Sequence, residues 1–319
     1  MRVVITGVTS FVGYHLAAGF LAAGHEVTGV LSGRRMEEGI VGERIGRLRE
    51  QGIPLEKLDL LDAEAIGRCA ETIGPEVWIQ HAGYTKNYAS FDYDLRTGFA
   101  VNVLPLTGIF TAMSKLGGAV IVTGTVSEYS DADVPHEEEV PCVPKMPYGL
   151  AKLAGTLLAK QLAEQYGVPT RVARLFLPFG PLDAPEKLLA VEAASLAAGQ
   201  PVRLSPCLQR RDFLYVDDVV SLYLALLRDL PRSHFEIYNV CAGEAPELRE
   251  VLLEMAEVLG ADPALCEFGA IPLRAGEPKL VAGSNAKARK YLEWKPMGWR
   301  EGVRRFAKSE TGCRKSEGE

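Results

Sequence analysis

The chain has 319 residues, of which 47% are hydrophobic and 24% are charged, so it can bury one large core or two joined ones. Its formal net charge of −6 argues against a nucleic-acid-binding protein, and an anionic substrate would need local arginines. The six cysteines form no CxxC pair and have no histidine at ligand spacing, which indicates neither a zinc site nor a disulfide framework.

The sequence starts with the strand-like segment MRVVITG, and no apolar run approaches the length needed to span a membrane. We therefore expect a cytoplasmic protein without an export signal, a membrane anchor or a bound metal.

Strands and helices are predicted to alternate through the first half of the chain. Short apolar runs predict buried strands, and the stretches between them predict helices. The predicted strands are 3–6, 26–31, 77–81, 119–123 and 170–176, and the predicted helices are 11–23, 63–73, 96–116 and 148–166. This alternation indicates an α/β fold in which a parallel sheet carries helices on both faces.

The alternation of predicted strands and helices stops after residue 178, where Pro and Gly become frequent. Helices are predicted at 188–198, 216–227, 248–259 and 285–292, separated by irregular segments. We therefore expect a dinucleotide-binding domain over residues 1–177, to which segments near 207–243 return. A smaller, partly interleaved substrate-binding lobe follows at 178–306, and the polar residues 307–319 are expected to be disordered.

A glycine-containing turn joins the first strand to the first helix, in VVITGVTSFVG. Small residues there let the backbone approach a pyrophosphate at the helix N-terminus. The turn resembles the TGxxGxxG motif of the short-chain dehydrogenase/reductase family, with Ser10 in place of the middle glycine. Ser10 keeps an N–H donor but adds a Cβ near the phosphates. The candidate cofactor residues are Gly7, Ser10, Phe11, Val12 and Gly13.

The end of the second strand lacks an acidic residue that would accept hydrogen bonds from the adenosine ribose. It offers Ser32, Arg34 and Arg35 instead. Arginine attracts a 2′-phosphate, so these residues favour NADP(H) over NAD(H). The alternative is that the two arginines form a solvated loop face.

Two further segments resemble cofactor contacts of that family. Asp59 and Leu60 follow the next strand and are similar to its adenine-contacting Asp-Leu pair, while Ala82 and Gly83 match its small-residue turn beneath the cofactor. We interpret the adjacent His81 as a packed side chain, because nothing nearby in the sequence supplies an orienting partner.

A tyrosine and a lysine lie four residues apart in PYGLAK, at the start of a predicted helix. Tyr148 and Lys152 therefore share one face, where the ammonium group would lower the pKa of the phenol. Such a phenol is a competent general acid or base. Alone, however, this spacing is common on exposed helix faces.

The motifs together are more specific than any one of them. Residues 3 to about 306 resemble the extended short-chain dehydrogenases called the NAD-dependent epimerase/dehydratase family, whose substrates are nucleotide sugars. The resemblance implies a doubly wound Rossmann sheet and a homodimer formed through helices 96–116 and 148–166. It also implies that Thr125 holds the reacting sugar oxygen, that Lys152 binds the nicotinamide ribose, and that Asn102 is structural.

The resemblance also implies substrate contacts in the C-terminal half. Arg211 and Arg274 correspond to arginines that hold the substrate diphosphate; the alternative is an internal salt bridge to Asp217 or Glu277. Leu177 replaces a frequent asparagine, so one polar contact to the substrate is absent or relocated.

The residues after Thr125 bear on the type of reaction. Dehydratases of the family have acidic residues there, whereas this chain has Val126 and Ser127, and Ser127 is left as a substrate contact. Glu128 is one residue further along and should point to the opposite side. We therefore expect reduction of a 4-keto nucleotide sugar with NADPH. The alternatives are a 4-epimerase with tightly bound NAD and, less favoured, a 4,6-dehydratase or a non-catalytic NADP-sensing protein.

Overall fold

The computed structural model describes residues 1–32 and 38–316, with side chains described as far as residue 310. The strands within these ranges are β1 (Arg2–Thr6), β2 (Glu26–Leu31), β3 (Leu55–Lys57), β4 (Val77–Gln80), β5 (Ala119–Thr125), β6 (Thr170–Leu175), β7 (Leu177–Phe179), β8 (Val202–Leu204), β9 (Arg210–Arg211), β10 (Phe213–Tyr215), β11 (Phe235–Val240), β12 (Cys266–Phe268) and β13 (Leu280–Val281).

The helices in the same part of the chain are α1 (Phe11–Ala22), α2 (Gly39–Glu50), α3 (Ala63–Ile73), α4 (Leu95–Asn102), α5 (Pro105–Leu116), α6 (Pro147–Tyr166), α7 (Leu188–Ala197), α8 (Val216–Asp229), α9 (Leu248–Leu259), α10 (Ala286–Leu292) and α11 (Trp299–Ser316). A short 3-10 turn, Val126–Glu128, directly follows β5.

Seven parallel strands form the central sheet in the order β11-β6-β5-β4-β1-β2-β3. The chain runs outward from β1 in one direction and then returns past β1 in the other, so the predicted doubly wound Rossmann fold is confirmed. β4 and β5 are buried along their whole length, as a sheet with helices on both faces requires.

Separate apolar cores cover the two faces of the sheet. One contains buried side chains of α1 and α8, and the other contains those of α3, α5 and α6. A third core lies among α7, α9, α11, β8 and β12 and forms the C-terminal lobe. β11, from the segment 207–243, is an edge strand of the central sheet.

The structure differs from the sequence prediction over residues 95–116, where one helix was expected and two are found. α4 ends at Asn102 and α5 begins at Pro105. Proline lacks an N–H and its ring clashes with the preceding turn, so it starts a helix readily but interrupts one. α2 was not predicted; its buried face consists of Arg44, Ile45 and Leu48.

The same stretch, 95–116, is the one helical segment of the described residues that is long and apolar enough to cross a membrane by length and composition. Its residues Leu106, Ile109 and Phe110 are buried against the sheet. Because a core helix meets the same criterion, the stretch is weak evidence for a membrane span.

The expected disordered tail at 307–319 is corrected over the part that the structure describes. α11 continues to Ser316, and Val303, Phe306 and Ala307 are buried in the core of the C-terminal lobe. The tail is polar in composition, so the sequence did not indicate that it packs. These few apolar residues at its start and just before it hold the helix against α9 and α7.

Candidate active site

The turn between β1 and α1 requires glycine at two positions. Gly7 has a φ of +72°, and a Cβ there would lie 2.8 Å from the Cα of Ala82. A Cβ on Gly13 would collide with the carbonyl oxygen of Gly7. The turn is therefore closed tightly on itself and on the residues that follow β4.

The N–H donor that Ser10 was expected to keep is hydrogen-bonded within the turn itself. Its N–H donates to the carbonyl of Gly7 (2.9 Å), and its hydroxyl caps α1 by accepting from the N–H of Gly13 (3.1 Å). Phe11 and Val12 remain as the first helical residues, whose N–H groups have no acceptor within the helix. These two N–H groups suit a pyrophosphate.

His81 has orienting partners that the sequence did not reveal, which corrects the expectation that it lacks them. Its Nε2 lies 3.0 Å from the Ser10 hydroxyl and its Nδ1 lies 3.0 Å from the Thr123 hydroxyl. Thr123 in turn contacts the hydroxyl of Tyr223 (2.7 Å). Burial lowers the pKa of His81 to about 3, and the Lys152 charge adds to the shift. His81 is therefore a neutral structural link.

The other candidate cofactor residues lie at the carboxyl edge of the sheet. Ser32 is exposed directly after β2, and Asp59 and Leu60 follow β3. Ala82 and Gly83 follow β4, where the Ala82 N–H donates to Thr6 (2.9 Å). Arg34 and Arg35 lie outside the described residues.

Thr125 ends β5 at the same edge. Its N–H donates to Glu128 (2.9 Å), and its hydroxyl accepts from the N–H of Ser127 (3.3 Å). Glu128 is fully buried and also binds Arg174 and Thr156 at 2.9 Å each. The sequence analysis expected an extended segment here, but Val126–Glu128 form a 3-10 turn that brings the Glu128 carboxylate back to the N–H of Thr125.

Tyr148 and Lys152 are brought to Thr125 by the first turn of α6. Lys152 Nζ donates to the carbonyl of Thr123 (2.6 Å), and burial lowers its pKa, opposed by Glu128. Burial raises the pKa of Tyr148, opposed by the nearby Thr125 side chain. The direction of this pKa shift is opposite to the lowering by Lys152 that the sequence analysis expected.

Two tyrosines that the sequence analysis missed pack on Tyr148. The rings of Tyr88 and Tyr93 lie edge-on to it at centroid distances of 5.8 and 5.7 Å. Asn102 holds this segment by accepting from the N–H of Tyr84 (2.8 Å) and donating to the hydroxyl of Tyr93 (3.1 Å). The structural role implied for Asn102 agrees with these contacts. The segment GYTKNYASFDY is rich in tyrosine, and this was the feature of the sequence that could have pointed to these two residues.

Arg211 makes the internal salt bridge that the sequence left open as an alternative. Its Nη2 binds Glu277 Oε1 at 2.7 Å, and its Nη1 donates to the carbonyls of Arg210 and Pro278, both at 2.9 Å. Arg274 lies exposed three residues before Glu277.

Leu177 begins β7, which pairs in parallel with β10 just after Arg211. This pairing joins the segment directly after β6 to the segment that carries Arg211. Leu177 is only partly buried.

These positions lie together at the carboxyl edge of the sheet and offer two chemically different sets of groups. The tight turn, the sheet edge and Lys152 suit a dinucleotide, while Thr125 and Tyr148 present hydroxyl groups beside it. No group of three or more metal-ligating residues occurs in the described part of the chain. The arrangement is suited to proton transfer next to a hydride carrier.

Comparison with known proteins agrees with this arrangement. Residues 3–241 match the model of the NAD dependent epimerase/dehydratase family. The chain is 29% identical to GDP-6-deoxy-D-mannose reductase from Pseudomonas aeruginosa, over 92% of each protein. It is 28% identical to UDP-glucose 4-epimerase from Mycolicibacterium smegmatis, over 93% of this chain and 94% of the relative. The crystal structure of Thermus thermophilus UDP-glucose 4-epimerase with NAD superposes with a TM-score of 0.79 at 27% identity, covering 98% and 99% of the two chains.

Proposed function

The chain belongs to the NAD dependent epimerase/dehydratase family, and we propose that it is an oxidoreductase that reduces a 4-keto nucleotide sugar with NADPH. The observation that carries the choice of reaction is the pairing of Thr125 and Tyr148 at the end of β5 without an acidic residue at positions 126 and 127. The likeness to a GDP-6-deoxy-D-mannose reductase supports reduction, in which a ketone takes up a proton at its oxygen.

The residues of this site divide the work of this reaction. When bound at this edge of the sheet, NADPH would supply the hydride for the carbonyl carbon. Tyr148 donates its proton to the carbonyl oxygen, which becomes the hydroxyl group, and Thr125 orients that oxygen. Lys152, one helical turn from Tyr148, provides positive charge beside the phenolate that forms and binds the nicotinamide ribose.

The surroundings of Thr125 support a reaction without dehydration. Val126 cannot exchange a proton, and Ser127 has no activating base among the contacts of the described residues. Glu128 is bound by Arg174, by Thr156 and by the N–H of Thr125. Among the described residues that contact Thr125, none offers an uncommitted carboxylate for proton transfer at a second sugar carbon.

The diphosphate of the substrate is assigned to Arg211 and Arg274. The bonds of Arg211 to Arg210, Glu277 and Pro278 do not use its Nε, and they use only part of the donors on its Nη2. These donors can therefore bind a phosphate. A guanidinium edge of this kind binds two phosphate oxygens at once.

The runner-up is a 4-epimerase with tightly bound NAD, which the Mycolicibacterium smegmatis relative favours. The test is to purify the protein without added cofactor and to measure NADPH consumption with 4-keto-6-deoxy nucleotide sugars. Stoichiometric consumption supports the reductase. Retained NAD together with interconversion of C4 epimers, and no net cofactor turnover, would replace it with the epimerase.

We also propose a cytoplasmic homodimer. Large apolar side chains are exposed along α4, α5 and α6, which pack against one another: Phe99, Leu104, Leu150 and Leu157. Leu104 and Leu157 are 62% and 60% exposed. Several exposed apolar side chains on helices that pack together are typical of a protein interface.

A further inference from the structure

A buried ion pair contacts the backbone of Thr125. Glu128 and Arg174 are 0% and 3% exposed, and Glu128 Oε2 lies 2.9 Å from Arg174 Nε. Taking two charges out of water carries a desolvation cost that can exceed the attraction between them, so such a pair is weak evidence for stability. The contacts of this pair point to a role in the site instead.

The Glu128 carboxylate joins three elements of the fold. Its Oε1 accepts from the N–H of Thr125 at the end of β5, and its Oε2 accepts from the hydroxyl of Thr156 on α6, both at 2.9 Å. Arg174 on β6 supplies the third donor. The carboxylate therefore fixes the end of β5 to the helix that carries Tyr148.

The 3-10 turn after β5 fixes the side chain of Thr125 as well as its backbone. The Thr125 hydroxyl oxygen accepts from the N–H of Ser127 (3.3 Å), while the N–H of Thr125 is held by Glu128, so the two ends of the turn cap each other. A hydroxyl that accepts at its oxygen still has its proton to donate. The turn thus sets Thr125 as a donor in one orientation.

Two glycines show how closely this turn is packed. A Cβ on Gly124 would lie 2.6 Å from Glu128 Oε1, so the carboxylate occupies the space that a side chain there would need. A Cβ on Gly149, the residue after Tyr148, would collide with the carbonyl oxygen of Ser127. The turn therefore lies against the first turn of α6, and a shift of Glu128 would move it relative to Tyr148.

We propose that Glu128, held by Arg174, is a positioning residue that sets the Thr125 hydroxyl against the substrate oxygen protonated by Tyr148. Glu128 transfers no proton itself, because three donors occupy its two oxygens. This inference rests on the proposed function, in which Thr125 orients that oxygen. A misplaced hydroxyl loses its bond in the transition state, which lowers kcat and leaves cofactor binding intact.

The first experiment compares two buried ion pairs on β6. Glu128→Gln keeps the size of the side chain but turns an amide NH2 towards Arg174, and we expect kcat to fall about tenfold, the scale of one hydrogen bond, with the KM for NADPH unchanged. Asp229→Asn is the matched control, because Asp229 pairs with the buried Arg171 (2.6 Å). It should lose stability in denaturant unfolding and keep its kcat. An unaltered kcat in Glu128→Gln, or an equal loss in Asp229→Asn, would overturn the proposal.

A double substitution tests whether Glu128 acts through Thr125. In a Thr125→Val background the hydroxyl is absent, so Glu128→Gln should cause no further loss of kcat. A further tenfold loss in that background would contradict the positioning role, because it would show an effect that does not pass through the hydroxyl.

Thr156 gives a milder test that leaves the ion pair in place. Thr156→Val removes only the hydroxyl that donates to Glu128 Oε2 and should lower kcat in the same direction. Thr156→Ser keeps a hydroxyl and should retain the kcat of the unaltered protein. Equal kcat values for Thr156→Val and Thr156→Ser would count against the proposal.

The positioning role and the reductase fail in different ways. Thr125 and Tyr148 would face the same oxygen in a 4-epimerase, so both reactions can be measured on the same variants. Interconversion of C4 epimers that falls about tenfold in Glu128→Gln, without NADPH consumption, would contradict the reductase and support the positioning role. NADPH consumption that Glu128→Gln leaves unchanged would support the reductase and contradict the positioning role.

Discussion

The imidazole Nε2 of His81 lies 3.0 Å from the hydroxyl of Ser10, although 71 residues separate them in the sequence. Ser10 donates its own proton to the carbonyl of Gly7 (2.8 Å), so the Ser10 oxygen must accept from Nε2. Nδ1 then accepts from Thr123, and the tautomer of His81 is assigned by this network. One neutral imidazole thus joins the cofactor turn to β5, where the carbonyl of Thr123 holds Lys152.

The first prediction concerns the pH dependence of stability. The pKa of His81 is lowered to about 3 in the folded protein from 6.5, so the unfolded state binds more protons between these values and stability falls as pH drops below about 6.5. Denaturant unfolding should show the stability difference between the unaltered protein and His81→Gln shrinking by about 2 kcal/mol from pH 7 to pH 5. A difference independent of pH would contradict a neutral His81.

Tyr148→Phe should fold and bind cofactor normally but lose roughly 10²-fold or more in turnover, the usual scale for a general acid. Steady-state kinetics and cofactor titration measure the two effects. Tyr166→Phe is the control on the same helix, since that hydroxyl contacts Thr111 away from the candidate active site. Near-full activity of Tyr148→Phe would remove it from the mechanism.

Cofactor preference is tested by a double substitution. NADP(H) should bind more tightly than NAD(H), and Arg34→Ala with Arg35→Ala should close most of the gap, because the 2′-phosphate loses its cations. Fluorescence titration gives both affinities. Arg68→Ala, at an exposed position of α3, is the matched control. If the unaltered protein binds both cofactors equally, the two arginines are a solvated face.

Arg211→Ala should raise the KM for the nucleotide sugar by about tenfold or more and leave the KM for NADPH unchanged, because a charge-assisted bond to phosphate is lost only on the substrate side. Arg203→Ala, on β8 with its guanidinium on the Ala270 carbonyl (3.2 Å), serves as the control. An unchanged substrate KM would mean that Arg211 forms only its salt bridge with Glu277 and does not bind the diphosphate.

The proposed dimer is tested at its most exposed leucines. Leu104→Asp and Leu157→Asp place charges in the apolar face and should shift the protein to a monomer in analytical ultracentrifugation. Leu253→Asp, at an exposed leucine of α9 in the other lobe, should leave the association unchanged. A monomeric unaltered protein would contradict the dimer.

The sequence by itself determined the parallel sheet and the residues at its carboxyl edge. Alternating apolar strands and helices are local patterns, and so are the spacings of Gly7 to Gly13 and of Tyr148 to Lys152. Each pattern reflects forces that act over a few neighbouring residues, such as helix periodicity and the steric freedom of glycine. That is why the Rossmann fold could be predicted before the structure.

Only the tertiary structure decided what those side chains do. Long-range contacts placed Ser10 against His81, gave His81 a second partner on β5, and bound Arg211 to Glu277 across 66 residues. The pKa of Tyr148 was predicted in the wrong direction because its burial by distant residues outweighs its helical neighbour. Hydrogen bonds and desolvation depend on which residues the fold brings together, and sequence spacing carries no record of that.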